Sequence, residues 1–139
     1  MQKEIVIVGL NHRSAPIEVR ESVAFENGYV RDALVRLRGY PAVQESVILS
    51  TCNRVEVVAA VSDTQTACHD MKIFLDEQRA GHGASSLEDH LYTYRGADAV
   101  RHLFRVAASL DSNICGSPTT MESRLAATRN KWRTASAPR

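Results

Sequence analysis

The sequence predicts an α+β fold: a ferredoxin-like sandwich in which a mostly antiparallel sheet is covered by helices, with a C-terminal helix. Three observations lead there. Strand-length β-branched runs and helical periodicities follow one another in the order strand, two helices, two strands, helix, strand, helix. The composition, 44% apolar and 24% charged, is that of a folded chain. The length of 139 residues suits one compact domain and is too short for a second nucleotide-binding domain of usual size. Blocks in this order allow amphipathic helices to cover one side of a single sheet.

Each element has its own signal. Glu4, Ile5, Val6, Ile7 and Val8 form a run that stops at Gly9 before Asn11, His12, Arg13 and Ser14, which reads as a buried strand leading into a loop. Ser14 is placed to cap a helix with Pro16 in its first turn. Val30, Ala33, Leu34 and Leu37 fall at i, i+3, i+4 and i+7, marking a second helix that Gly39 and Pro41 end. Two strand-like runs follow, Val47 to Leu49 and Val55 to Ala59, joined by a polar link that carries Cys52. Ser62, Asp63 and Thr64 can cap a helix with Ala67, Met71, Phe74 and Leu75 on one face. Cys68 and His69 stand side by side in it, face different directions and cannot jointly hold one small metal ion, so Cys68 is expected to be packing. A strand over 90–94 then leads to Gly96.

In the helix after Gly96, Val100, Leu103, Phe104 and Ala107 form an apolar stripe. Asp98, His102, Arg105, Ser109 and Ser112 lie on a different face, so His102 is expected to point away from the stripe. Apolar residues thin out from Ser117, residues 121–133 read as an exposed helix, and 134–139 as a frayed end. The expected division is a catalytic-type domain over 1–112 and a divergent linker and helix stub over 113–139.

Composition excludes several classes. No apolar run approaches the ~20 residues that span a bilayer. The first ten residues carry Lys3 and Glu4 where a signal peptide has an apolar stretch, so the expected setting is cytoplasmic. Cys52, Cys68 and Cys115 form no CxxC pair and have no zinc-type spacing to a histidine, so no metal is expected. No GxGxxG follows a strand, so the chain is expected to bind no dinucleotide. The net charge of +1 is uneven: residues 1–95 hold 10 basic and 13 acidic side chains, and residues 96–139 hold 7 and 3. The basic end attracts a polyanion or forms the solvated side of a helix.

Cys52 lies between Thr51 and Asn53, with Arg54 next. A neighbouring guanidinium favours thiolate, the nucleophilic form of sulfur, provided the link is exposed. The competing reading is a small apolar filler at a strand end. His102 is suited to proton transfer near neutrality, or is a half-exposed surface histidine, with Asp98 and Arg105 as surface ion-pair partners.

Three motifs occur in order over residues 6–116. Val8 to Pro16 is followed by Val19, Arg20 and Glu21; Leu49 to Glu56 contains Thr51, Cys52, Asn53 and Arg54; His102 to Ala107 is followed by Leu110, Asp111 and Ser112. With them the chain resembles the amino-terminal catalytic domain of glutamyl-tRNA reductase. The resemblance implies a cytosolic enzyme at the entry to tetrapyrrole (5-aminolevulinate) biosynthesis that reduces the glutamate of glutamyl-tRNA to glutamate-1-semialdehyde with NADPH. It implies Cys52 as the nucleophile that forms a glutamyl thioester, and His102 as a contact or proton carrier. It implies Arg54 as the partner of the substrate carboxylate, and Thr51, Asn53 and Ser112 as polar contacts. Asn53 also reads as a turn residue and Ser112 as a helix end.

The pattern breaks after Ser112. The family usually continues Met-Val-Leu-Gly-Glu-Pro-Gln, whereas here Asn113, Ile114, Cys115, Gly116, Ser117, Pro118 and Thr119 follow. The full family also has an NADPH-binding domain and a helical dimerisation domain that makes it a homodimer, and 139 residues cannot hold them. The expectation is a fragment or short relative that lacks reductase activity alone and acts at most as an esterase. The alternative is a catalytically silent module that binds tRNA or a protein.

Overall fold

The apolar run near the start of the chain forms β1 (Glu4–Asn11), and it takes a central place in the sheet. Strands β2 (Val43–Ser50), β3 (Arg54–Val61) and β4 (Tyr92–Arg95) complete the order β2-β3-β1-β4, with antiparallel pairing throughout. Helices α1 (Ile17–Val23) and α2 (Val30–Leu37) connect β1 to β2, α3 (Thr64–Gln78) lies between β3 and β4, and α4 (Gly96–Ala107) follows β4. This is the ferredoxin-like arrangement expected, with its first helical connection split in two and one helix added at the end. The structure, a computed structural model, describes residues 2–26, 28–79 and 86–108. The expected boundary at 112, the helix over 121–133, Ser112 and Cys115 lie outside the described residues.

Strand period assigns the two faces of the sheet. Val6, Val8 and Leu10 of β1 and Val55, Val57, Ala59 and Val61 of β3 share one face and are buried in the core with Ala33 and Leu37 of α2 and Ala67, Cys68, Met71, Phe74 and Leu75 of α3. Cys68 is packing, as expected. Phe74 stacks on Phe25 at 5.9 Å between ring centres. Asp63 caps α3 by accepting from the Thr66 N–H at 2.9 Å.

The opposite face carries Ile7, Gly9 and Asn11 of β1, Arg54, Glu56 and Val58 of β3, and Tyr92 and Tyr94 of β4, placed together by the pairs Gly9↔Glu56, Asn11↔Arg54, Gly9↔Tyr92 and Ile7↔Tyr94. Helix α4 packs here, so helices cover both faces and not one as expected. Gly96, in the left-handed region at φ +54°, joins β4 to α4 without a loop. The facing of α4 also differs from the expectation. Its buried residues are Ala99 and His102, while Val100 is 40% and Phe104 72% exposed. The reason is the polarity of the covered face: hydrogen-bonding partners for an imidazole lie there, and the apolar stripe is left outside. Two smaller corrections follow. Ser14 does not cap α1, whose N-cap is Pro16 with no side-chain bond. The residues before Tyr92 form a short 3-10 turn, Glu88–His90.

Candidate active site

The link between β2 and β3 is a tight hairpin turn. Thr51 Oγ1 accepts from the N–H groups of Asn53 and Arg54, each at 3.2 Å, and the Thr51 N–H donates to the Arg54 carbonyl at 2.8 Å. Cys52 is thereby held at the tip, exposed and not in a disulfide. The tip is clamped from two sides. Arg20 Nη1 donates to the Cys52 carbonyl at 2.6 Å, and the His12 N–H donates to the Asn53 carbonyl at 2.8 Å. Beside it, Asn11 Oδ1 accepts from the N–H groups of Arg13 and Ser14 at 2.9 and 3.1 Å. Ser14 Oγ accepts from the Asn11 N–H at 3.0 Å, which explains why that hydroxyl folds the loop and leaves α1 uncapped.

Two residues along β3 from Arg54, Glu56 is fully buried. Its Oε1 accepts from Arg54 Nη1 at 3.0 Å, from His102 Nε2 at 2.6 Å and from the Tyr92 hydroxyl. Among the described residues its Oε2, also buried, has no hydrogen-bond partner. Burial acts to raise the Glu56 pKa, but the hydrogen bonds from His102 and Tyr92 and the charges of His102 and Arg54 outweigh it, so the carboxyl lies below its ordinary value. The same burial, followed by the charge of Glu56 and its hydrogen bond, drives the Tyr92 pKa far upward. The His102 ring is stacked on Tyr94 at 4.3 Å and 17° and meets Tyr92 edge-on at 5.6 Å. Room for Glu56 depends on Gly9: a Cβ there would come within 2.7 Å of Glu56 Cγ.

A cleft of about 270 Å³ opens over this cluster, lined by Asn11, Arg13, Ser14, Tyr92, Tyr94, His102 and Arg105. The expected site residues are therefore distributed as follows. Thr51, Cys52, Asn53 and Arg54 share one hairpin, and Arg54 and His102 meet on one carboxylate oxygen. His102 lines the cleft, and Asn11 of the same cleft pairs in register with Arg54, two residues from Cys52. Asp98 pairs with Arg101 at 2.8 Å, not with Arg105, which faces the cleft. Sequence reading passed over Glu56, Tyr92, Tyr94 and Gly9. A signal existed: Arg54 and Glu56 stand two apart in an otherwise apolar strand, which puts opposite charges on one face.

Among the described residues no group of three or more His, Cys, Asp or Glu side chains is placed to hold a metal ion. No helix among them is long and apolar enough to cross a membrane.

Residues 8–122 match the family profile described as "Glutamyl-tRNAGlu reductase, N-terminal domain". The chain belongs to the glutamyl-tRNA reductase N-terminal domain family. The glutamyl-tRNA reductase of Rippkaea orientalis is 46% identical over 113 residues, which are 81% of this chain and 26% of that protein. That of Carboxydothermus hydrogenoformans is 47% identical over 112 residues, again 81% of this chain and 25% of the relative. Among solved structures, the glutamyl-tRNA reductase from Methanopyrus kandleri superposes with a TM-score of 0.58 at 29% identity, covering 91% of this chain and 28% of that one. The chain thus spans about a quarter of the length of the glutamyl-tRNA reductases it matches. The match contains the Cys52 hairpin, the Glu56 cluster and α4 together.

Proposed function

We propose that the chain is the part of a glutamyl-tRNA reductase that takes the glutamyl group from glutamyl-tRNA, with Cys52 as the nucleophile. The observation that carries this reading is an exposed thiol on a clamped hairpin tip whose Arg54 shares one Glu56 carboxylate oxygen with the His102 imidazole. The thiolate attacks the ester carbonyl. The bond from that carbon to the terminal ribose oxygen breaks, the oxygen keeps the electron pair and takes a proton, and the glutamyl group stays on sulfur as a thioester. A thioester is more electrophilic than the oxygen ester, so one hard step becomes two easier ones. His102 is the proton carrier in this reading.

Arg54 is the proposed partner of the substrate carboxylate, a task suited to a planar fork of donors. Its Nη1 is held by Glu56, so a substrate carboxylate would share or displace that contact. Arg13 and Arg105 add positive charge on the open side. Thr51, Asn53 and Ser112 are the proposed polar contacts. Cys52 and Cys68, neither of them in a disulfide, suit a reducing compartment such as the cytosol.

In the family the thioester is reduced with NADPH to glutamate-1-semialdehyde, the entry to tetrapyrrole synthesis. The described residues do not fit that cofactor. Their sheet has no parallel βαβ crevice, and the space over Gly9, where a phosphate would need to approach, is filled by Glu56. No hydride step is assigned to them. With water as the acceptor, the thioester is hydrolysed and the chain acts as an esterase.

Incubation with radiolabelled glutamyl-tRNA, acid quench and denaturing electrophoresis tests the reading. The expected result is label on the protein that hydroxylamine removes and that Cys52→Ser abolishes. Binding of tRNA with no label and no released glutamate would instead identify a silent binding module. Semialdehyde formed on adding NADPH would assign reduction to this chain.

A further inference from the structure

We infer that Glu56 is a positioning residue for His102, fixing the ring as the tautomer protonated on Nε2 and leaving Nδ1 as the nitrogen that exchanges a proton in the cleft. An ionised carboxylate can only accept, so the 2.6 Å contact between Glu56 Oε1 and His102 Nε2 requires the hydrogen on Nε2. The neutral ring then has its lone pair on Nδ1. Rotation is blocked by the stacked Tyr94 ring and the Tyr92 edge. The groups around the imidazole are Glu56 and Arg54 of β3, Tyr92 and Tyr94 of β4, Arg13 of the loop after β1, and Arg105 of α4 itself.

Packing alone does not account for this carboxylate. Three donors converge on Oε1 while Oε2, also buried, has no hydrogen-bond partner among the described residues, and an unsatisfied buried acceptor costs stability. Apolar side chains in place of the whole Arg54, Glu56 and His102 cluster would serve a purely structural sheet face as well or better. The site is nevertheless built for the acid: Gly9 is bare where any Cβ would meet Glu56 Cγ at 2.7 Å. A carboxylate that orients a histidine and sets its tautomer supports transfer through the other ring nitrogen, and where such a partner orients a metal-bound histidine its removal costs about 10- to 100-fold, the scale taken for this one.

The tautomer inference stands on geometry, and only its effect on rate rests on the acyl-transfer reading. Long-range proton–nitrogen correlation spectra of the ¹⁵N-labelled 139-residue chain at neutral pH read the tautomer directly. The expected wild-type spectrum has protonated Nε2 and unprotonated Nδ1 at His102. In Glu56→Gln the expected result is a mixed or reversed tautomer together with labelling of Cys52 slowed by about 10- to 100-fold. A wild-type ring protonated on Nδ1 would overturn the inference without recourse to any variant, which covers the case of a variant that does not fold. A folded Glu56→Gln protein with the wild-type tautomer and a labelling rate within twofold would overturn it as well. A wild-type chain with the expected tautomer but no label on Cys52 overturns the acyl-transfer reading and supports the positioning.

Discussion

At position 9 the requirement is space rather than backbone freedom. A Cβ there would sit 2.5 Å from the Val55 carbonyl oxygen and 2.8 Å from Glu56 Cα, and neither backbone atom can swing aside. Gly9→Ala is expected to cost about 1–3 kcal/mol, the usual cost of overpacking, measured by urea unfolding. Glu56 makes a second prediction, of pH dependence. Its folded pKa lies below the ordinary 4.5, so its contribution to stability is present above that value and is lost as pH falls through the lowered one. Acid unfolding of Glu56→Gln should therefore begin from a lower stability and show a shallower loss below about pH 4.5 than wild type. An equal slope would mean that other carboxylates carry the acid limb. The exposed place of Cys52 was legible as a polar link between two strand-like runs, whereas its proposed role as nucleophile comes from the family resemblance and not from its neighbours Thr51, Asn53 and Arg54. Glu56 was not legible: an acid inside a β-branched run looks like the solvent side of a strand. Only the pairing with Gly9 and Tyr92, set by residues about 36 to 47 positions away, shows it to be buried.

Helices α2 and α3 were legible down to their facing, because each covers an apolar sheet face and periodicity reports exactly that contact. Helix α4 was legible as a helix but not in orientation, since it covers the polar face with Ala99 and His102 while Val100 and Phe104 point outward. Two phenylalanines make the contrast measurable. Phe74 of α3 is fully buried, stacked on Phe25 with the Arg36 guanidinium 5.1 Å from its ring centre. Phe74→Ala should cost about 3–5 kcal/mol in urea unfolding. Phe104 of α4 is 72% exposed, and Phe104→Ser should stay within about 0.5 kcal/mol of wild type. If the periodic stripe of α4 were its packing face, the second substitution would be as damaging as the first.

On the scale of the whole molecule, the sheet separates stability from chemistry. One face seals the core under α1, α2 and α3, and the other carries the Glu56 cluster, the cleft and α4. On the proposed reading a substrate as large as a tRNA has to be attracted by charge, and the net charge of the chain is only +1. The local imbalance supplies it: residues 96–139 carry 7 basic and 3 acidic side chains, among them Arg124, Arg129, Lys131 and Arg133. Each phosphate neutralised on a folded or single-stranded nucleic acid contributes about −0.7 to −0.9 to the slope of log affinity against log salt. Replacing those four residues by Gln should flatten the slope for tRNA by up to about 3 while leaving the labelling of Cys52 at saturating glutamyl-tRNA unchanged. Arg105→Gln should do the converse, changing the slope by less than about 1 and slowing the labelling, because Arg105 lines the cleft to which the proposed reading assigns the ester. If the fourfold variant keeps the wild-type slope, attraction of the polyanion does not come from the basic end. The charge to examine next would then be that of Arg13 and Arg105 in the cleft.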